Sequence, residues 1–299
     1  MHKHGFLITA YKDPTQLEKL IESLDCEYSY FYIHIDKKSN LSNHKTIVNL
    51  KAKYNVSILE NSICVNWGGF SHLEAILELI KECYSIPEIS YFHCLSGQCY
   101  PIKSIEEICS FFEINNNSEY IEYYKMPTNK LFDGGMSRVH YYRPNDLLNE
   151  KGSFWERKIY TLIVKSQRLF SIVIPYSKKF PPLYWGSTWW SLSRNSIAYI
   201  LNYIGKNRSF LKRFQHTFCA EEMFFQTILL NSKFKNRIVN SNLRHIDWEY
   251  KNGNSPAILD ESDFKAIVKS KHLFARKFDS EISSNLILKL EEYIEAINS

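Results

Sequence analysis

Short apolar segments alternate with amphipathic ones along the first third of the chain. Residues 5–10, 30–35, 55–59 and 91–95 are apolar and β-rich, whereas residues 17–24 and 72–86 show helical spacing. This alternation predicts an α/β fold, with a mostly parallel central sheet flanked by helices. In such sheets ligands bind beyond the carboxyl ends of the strands, and Tyr11, Asp36 and Ser96 fall at three of these ends.

The pattern is less regular after residue 118. It predicts a strand at 119–125, a loop at 126–135, and helices at 191–204, 222–230 and 288–297. No linker, repeat or low-complexity tract interrupts the chain. We therefore predict a single domain over residues 1–299, with one functional half at about 1–115 and another at about 116–299.

The composition excludes several classes of protein. A formal net charge of +5 is too small for a nucleic-acid-binding surface, so no nucleic-acid partner is expected. Neither a dinucleotide-binding nor a P-loop glycine pattern occurs. The seven cysteines form no C-x-x-C pair, which favours free thiols in a reducing compartment. With no signal sequence and no long apolar window, the chain is expected to be cytoplasmic.

Two segments have the composition of a binding site. Residues 185–194 are aromatic, glycine-broken and rich in hydroxyls, and residues 220–226 place Glu221 and Glu222 at the start of an apolar helix. A carboxylate beside aromatic walls is well suited to act as a general base. An ordinary helix N-terminus, where acidic side chains favour the helix dipole, would explain the second segment equally well.

Four further motifs accompany these two segments in a fixed order. They lie at residues 33–39 (IHIDKKS), 65–70 (VNWGGF), 95–104 (LSGQCYPIKS) and 272–279 (HLFARKFD). Together the six motifs resemble the family of core-2/I-branching β-1,6-N-acetylglucosaminyltransferases and peptide O-xylosyltransferases, in its bacterial form. The resemblance runs from about residue 6 to about residue 279. It implies a GT-A-type, Rossmann-like nucleotide-sugar fold, an inverting mechanism and no metal.

The resemblance also implies roles for the most chemically active residues. Glu222 falls on the catalytic base, and Glu221 stands in place of an aspartate before it. Lys277 and Arg276 match a basic pair that contacts the diphosphate, although two solvated charges near a helix end are the alternative. No Asp-x-Asp motif occurs, so fixed cations rather than a divalent ion are expected to stabilise the leaving group.

The remaining predicted contacts follow the same resemblance. Tyr11, Asp36, Lys37, Ser96 and Gly97 are assigned to the nucleotide. Trp248, Glu122 (Tyr123 in a shifted register), Arg138, Trp185, Ser187 and Glu221 are assigned to the donor or acceptor sugar. For Trp248 a place in the core is an equal alternative. Two positions depart from the family pattern, because Tyr11 replaces a histidine and Cys99 replaces an aspartate, and the second change removes a negative charge near the donor sugar.

The sequence thus predicts an inverting, metal-independent β-glycosyltransferase. It would move N-acetylglucosamine, or else xylose, from a UDP-sugar to a glycan or lipid-linked glycan of a bacterial surface polysaccharide. The alternative is an inactive carbohydrate- or nucleotide-sugar-binding protein on the same fold.

Residues 155–174 interleave aromatic, aliphatic and basic side chains. They predict either a helix that contacts an anionic membrane, placing the enzyme at the inner face of the plasma membrane, or a segment packed on the domain or on a second subunit. Residues 172–175 have the character of buried chain and favour packing.

Overall fold

The computed structural model describes residues 1–298. The strands are β1 (Lys3–Ala10), β2 (Ser29–Ile35), β3 (Val56–Ile58), β4 (Ile89–Ser96), β5 (Cys99–Pro101), β6 (Glu119–Ile121), β7 (Tyr124–Lys125), β8 (Tyr184–Trp185), β9 (Trp190–Ser193), β10 (Ile238–Val239), β11 (Arg244–Ile246) and β12 (Phe274–Arg276). The helices are α1 (Pro14–Glu22), α2 (Lys45–Lys53), α3 (Phe70–Tyr84), α4 (Ile105–Ile114), α5 (Ser137–His140), α6 (Phe154–Leu169), α7 (Arg194–Lys206), α8 (Arg208–Arg213), α9 (Glu221–Leu230), α10 (Phe264–Val268) and α11 (Ser284–Asn298).

Seven strands form the main sheet, in the order β10-β6-β9-β4-β1-β2-β3. Six of them run in one direction and β9 alone is reversed, because it pairs antiparallel with both β4 and β6. The predicted α/β architecture with a mostly parallel sheet is therefore confirmed. Strands from both predicted halves of the chain contribute to this sheet.

Helices cover both faces of the sheet. On β1, Phe6 and Ile8 point into a core shared with α1, α2 and α4, whereas Leu7 points into a core shared with α3, α7 and α9. All three side chains are fully buried. A strand that is covered on both faces needs apolar residues at successive positions, which explains why this part of the sequence is a continuous apolar run.

A smaller sheet joins the two predicted halves of the chain. In it β12 lies between β11 and β5, and Arg276 of β12 is paired with Cys99 of β5. A third apolar cluster, to which α10 and α11 contribute, packs against these strands. This sheet therefore holds the Arg276-Lys277 pair next to the end of β4.

Several predicted elements have other boundaries or another form. The helix predicted at 191–204 begins only at Arg194, since residues 190–193 are strand β9 and Ser193 caps the helix through its hydroxyl. The strand predicted at 119–125 divides into β6 and β7, which belong to different sheets. Helices α2 and α4 were not predicted, although Ser104 and Glu107 form a capping box at the start of α4.

Two further features bear on the predictions from composition. All seven cysteines are free, and five are buried, but Cys26 is half-buried and Cys64 is exposed. Among the described residues, no helix combines the length and the apolar character that crossing a membrane requires.

Candidate active site

The carboxyl ends of β1, β2 and β4 meet at one edge of the main sheet. The Asp36 N–H donates to the Ala10 carbonyl at 2.9 Å, and the Gly97 N–H donates to the Thr9 carbonyl at 2.9 Å. Ser96 is buried beside them, whereas the ring of Tyr11 is more than half exposed. The structure therefore brings together four of the residues that the sequence assigns to the nucleotide.

The carboxylate of Asp36 orders the neighbouring loop. It accepts hydrogen bonds from the backbone N–H groups of Lys38, at 2.9 Å, and Val65, at 3.4 Å. Lys37 is exposed, and its N–H donates to the Ile63 carbonyl. Two of the carboxylate's hydrogen bonds are thus made to the protein itself, so Asp36 shapes the edge of the site whatever it binds.

The two glycines after Trp67 allow a close approach of three segments. Gly68 has a φ of +74°, and a Cβ there would lie 2.5 Å from the ring of Phe218. A Cβ on Gly69 would lie 2.1 Å from Asp146, whose carboxylate accepts from the Phe70 N–H at 2.9 Å and so caps α3. Positions 68 and 69 therefore need residues without a side chain.

Glu222, in the first turn of α9, is held by two donors. Its Oε2 accepts from the Arg138 guanidinium at 2.6 Å and from the Trp185 indole N–H at 2.8 Å. The backbone reinforces the arrangement, because the Gly186 N–H donates to the Glu222 carbonyl at 2.8 Å. The side chain keeps 26% of its surface exposed. A carboxylate that is fixed in position and still open to solvent has the geometry of a general base.

Burial raises the pKa of the Glu222 carboxyl above its usual range, while the nearby guanidinium of Arg138 and the indole of Trp185 act in the opposite direction. The neighbouring Glu221 adds to the increase. A raised pKa makes the carboxylate a better proton acceptor, and the two donors keep it in the charged form. This balance suits a group that must take a proton from an alcohol near neutral pH.

Glu221 points in another direction and is more deeply buried. Its Oε1 lies 3.4 Å from Nδ1 of His72, which belongs to the first turn of α3. Its Oε2 is buried and has no hydrogen-bond partner among the described residues. A buried carboxylate oxygen without a partner is costly, so this atom can accept a hydrogen bond from a donor that a ligand brings.

Cys219, Glu221 and Glu222 lie close enough together to be considered as ligands of a metal ion. One ligand atom from each lies within 4.8 Å of the others. Burial raises the pKa of the Cys219 thiol far above its usual range, so the thiol is neutral at physiological pH. Glu222 is already engaged by a guanidinium and an indole. A neutral thiol and an occupied carboxylate fit a divalent cation such as Mn²⁺ poorly, because such ions prefer ionised oxygen ligands.

A cluster of cations lies at the end of the small sheet. Burial, together with the charges of Arg276, Lys151 and Lys12, lowers the pKa of Lys277 to about 8. Lys12 is 3.4 Å from the carboxylate of Asp279, and Lys151 lies 4.0 Å from the centre of the Trp67 ring. Repulsion among these cations is relieved when an anion binds, so the cluster could hold a negatively charged group.

Trp189 connects the cations to the carboxylates. The Arg276 guanidinium lies 4.5 Å from the centre of the Trp189 ring, and the ring of His72 lies 6.3 Å from it on an edge-to-face contact. His72 in turn contacts Glu221. This region contains two more buried polar atoms, Arg276 Nε and Gln98 Nε2. Neither has a hydrogen-bond partner among residues 1–298. Trp189 and His72 therefore link the Arg276 guanidinium to Glu221, the residue before Glu222.

The two positions that depart from the family pattern face this region. The hydroxyl of Tyr11 donates to Gln98 Oε1 at 3.1 Å. Cys99 is fully buried, pairs with Arg276 across the small sheet, and has its thiol 3.5 Å from the Ser96 hydroxyl. The thiol leaves the Arg276 guanidinium without a neutralising carboxylate at this position, which increases the positive charge of the site.

The predicted acceptor residues lie in different surroundings. Glu122 accepts from Asn242 at 2.9 Å, and its backbone touches Gly186, where a Cβ would lie 1.8 Å from the Glu122 carbonyl oxygen. Ser187 has a local role, because its hydroxyl accepts from the Trp189 N–H at 3.2 Å. Trp248 is 69% exposed, so the alternative of a core aromatic is wrong for this residue.

The sequence did not single out His72, Trp189, Lys12 and Lys151 as site residues. Trp189 lies inside the aromatic segment 185–194, and Lys12 follows Tyr11 at the end of a predicted strand, so the sequence pattern could have indicated both residues. His72 follows the glycine loop by three residues, but only the packing of α3 against α9 reveals its contact with Glu221. Lys151 is a loop residue with no local pattern.

The sequence of this chain is similar to those of known proteins. The sequence profile of the Core-2/I-branching enzyme family matches residues 5–268. The chain is 26% identical over 299 residues to xylosyltransferase 2 of Canis lupus familiaris, and 24% identical over 298 residues to xylosyltransferase 1 of Rattus norvegicus. Both alignments cover 93% of this chain, but the chain spans only about a third of the length of these relatives, 32% and 34% respectively.

A solved structure, mouse xyloside xylosyltransferase 1 in its apo form, is also similar. The match covers 92% of this chain and 97% of that one, at 12% identity and a TM-score of 0.38. So low a score assigns no role to any residue. The family match, in contrast, extends over most of the chain, and the chain therefore belongs to the Core-2/I-branching enzyme family of glycosyltransferases.

Proposed function

We propose that this member of the Core-2/I-branching family is an inverting, metal-independent glycosyltransferase that uses a UDP-sugar. The observation that carries the proposal is the fixed carboxylate of Glu222, held by Arg138 and Trp185 and open to solvent. Its neighbour Glu221 is linked to Arg276, beside Lys277, through His72 and Trp189. A base and a diphosphate site in one region are the two parts that a direct sugar transfer requires.

In the proposed reaction Glu222 takes the proton of the acceptor hydroxyl as the oxygen attacks the anomeric carbon. The new carbon–oxygen bond forms on one face of the sugar while the bond to UDP breaks on the other, so the configuration inverts. The electron pair of the broken bond leaves with UDP. The proton on Glu222 then passes to solvent, and only one carboxylate is needed.

Leaving-group stabilisation is assigned to protein cations. Lys277 and Arg276, supported by Lys12 and Lys151, would offset the charge that develops on the departing diphosphate. Arg276 is suited to this role because its guanidinium is stacked on Trp189 and its Nε has no partner in the described part of the chain. Cations already in place need no reorganisation during the reaction.

The donor and the acceptor are the finer parts of the proposal. N-acetylglucosamine is the first candidate for the transferred sugar and xylose the second, and the names of the relatives favour xylose. The acceptor is a glycan or lipid-linked glycan of a bacterial surface polysaccharide, glycosylated in the cytoplasm. Tyr11, Asp36, Ser96 and Gly97 are assigned to the nucleotide, and Trp248 offers an exposed ring on which a sugar could stack.

A panel of UDP-sugars tests the proposal. Purified protein is incubated with each donor, with and without EDTA, and UDP release is measured. We expect release from UDP-N-acetylglucosamine or UDP-xylose that EDTA does not reduce and Mn²⁺ does not increase. Strict dependence on Mn²⁺ would contradict the assignment of the cations. UDP binding without release from any donor, with a panel of glycan acceptors present, would favour an inactive binding protein.

A further inference from the structure

Charge is distributed very unevenly along this chain. Residues 157–220 contain eleven lysines and arginines and no aspartate or glutamate. The other 235 residues contain 26 basic and 32 acidic side chains, so they carry a net negative charge. The net charge of the whole protein is small, but residues 157–220 form a strongly cationic segment that begins in α6.

Helix α6 turns a narrow face towards the protein. Only Tyr160, Val164 and Gln167 are buried. The Tyr160 hydroxyl donates to Asn145 at 3.2 Å, and the Gln167 amide donates to the Tyr142 carbonyl at 3.0 Å. These contacts fix the rotation of the helix, so the direction in which its other side chains point is settled.

The opposite face of α6 is apolar and exposed. Trp155, Leu162 and Leu169 follow one another at seven-residue intervals, which places them on one line along the helix. They are 69%, 69% and 78% exposed. Phe170, which follows the last residue of α6, is 70% exposed. Residues 172 and 173, which the sequence suggested to be buried, are exposed as well.

Four cations lie beside this apolar line. Arg157, Lys158, Lys165 and Arg168 are all exposed, and at 100° per residue they fall on one side of it. The single acid of the helix, Glu156, is turned back to cap the first turn through the Ser153 N–H at 2.8 Å. The exposed surface of α6 is therefore apolar and cationic without any acidic residue.

We propose that α6 binds an anionic lipid surface and lies flat in it, with the apolar line inserted and the four cations among the headgroups. The charge favours lipid over a second copy of the chain, because a symmetric contact would bring eight cations together. Aromatic residues at the start of the helix and exposed apolar residues after it fit the boundary between headgroups and acyl chains. The inference does not depend on which sugar the enzyme transfers.

Helix α6 is connected to the candidate base, Glu222, through a few intervening side chains. The segment on which α6 packs includes Arg143, whose guanidinium lies 5.5 Å from the centre of the Phe218 ring. The Arg138 guanidinium also lies 5.5 Å from that ring, and it binds Glu222. Membrane contact at α6 would therefore hold the acceptor side of the site near the lipid surface.

Flotation of the whole protein with vesicles tests the proposal. One vesicle population is an equal mixture of phosphatidylglycerol and phosphatidylcholine, and the other is phosphatidylcholine alone. We expect at least tenfold stronger binding to the anionic vesicles, with loss of that binding at high salt. Changing Arg157, Lys158, Lys165 and Arg168 to Gln should weaken binding at least tenfold.

Two further variants make the outcome decisive. The control changes four exposed lysines elsewhere (Lys45, Lys51, Lys265 and Lys269) to Gln, removes the same charge, and should bind as the unaltered protein does. Changing Trp155, Leu162 and Leu169 to Ser keeps every cation and should also abolish stable binding. UDP affinity should be unchanged in all variants, which separates this test from the proposed function.

Three outcomes would overturn the inference. The first is an unaltered protein that binds neither vesicle population. The second is a control variant that loses binding as much as the α6 variant does. The third is a protein that sediments as a dimer, with the α6 changes converting it to a monomer, because the surface would then be covered by a second copy.

Discussion

Replacing Lys277 by Met should stabilise the unliganded protein and weaken its affinity for UDP. The pKa of this lysine falls from 10.5 in the unfolded chain to about 8 in the folded protein. Below pH 8 both states carry the proton, and the folded state bears the full unfavourable energy. At about 1.4 kcal/mol per pH unit, and with a reduction for partial exposure, we expect the free energy of unfolding to rise by about 2 kcal/mol at pH 7.

The pH dependence has a definite sign. Between pH 8 and pH 10.5 the unfolded chain binds more protons at Lys277 than the folded protein does, so this group makes stability increase with pH. UDP has the opposite effect on the lysine. A bound diphosphate raises its pKa, so binding takes up a proton above pH 8, and affinity for UDP should fall about tenfold from pH 7 to pH 9.

Titration calorimetry and thermal unfolding measure both effects. Calorimetry with UDP at pH 7, 8 and 9, in two buffers of different ionisation enthalpy, counts the protons taken up. The control is Lys271→Met, which removes an exposed lysine close by in the sequence and should change neither quantity. The reasoning is refuted if the affinity of the unaltered protein is flat from pH 7 to pH 9, or if Lys277→Met retains the decrease.

Two other substitutions probe the surroundings of Glu222. Arg138→Met removes a cation that keeps the pKa of Glu222 down, so the acid limb of the kcat/KM profile should move to higher pH, with activity partly recovered there. An unmoved limb would mean that Glu222 is not the titrating base. Gly186→Ala places a Cβ 1.8 Å from the Glu122 carbonyl oxygen and should lower the free energy of unfolding, measured in urea, by about 3 kcal/mol or more. A change below 1 kcal/mol would mean that the two segments separate easily.

The sequence predicted the sheet best where strands are buried on both faces. The apolar runs at residues 5–10 and 91–95 leave little alternative to a central parallel strand, and both became long strands. Strand β9 was missed because two of its four residues are serines. The Ser191 hydroxyl forms hydrogen bonds with His93 and Arg244, and the Ser193 hydroxyl donates to Glu119. All three partners are distant in the sequence. Local patterns cannot show such distant partners.

Part of the candidate site could be predicted from the order of the parallel strands. The ends of parallel strands must meet, so Tyr11, Asp36 and Ser96 were expected to be neighbours. Pairings across the fold could not be expected from spacing. The resemblance to a family placed Glu222 and Arg138 among the site residues, but the hydrogen bond between them joins positions 84 residues apart. The contact of Glu221 with His72 likewise depends on how two helices pack.

The central claim is that Glu222 removes the acceptor proton. The most direct test compares sugar transfer by Glu222→Gln and Glu221→Gln, each with UDP affinity measured by calorimetry on the same preparation. Glu222→Gln should lose at least the ~10²–10⁴-fold that general bases contribute and keep its UDP affinity nearly intact, because the base acts on the acceptor and not on the nucleotide. Transfer that survives in Glu222→Gln while Glu221→Gln is inactive would contradict the account, and would identify the buried neighbour as the base.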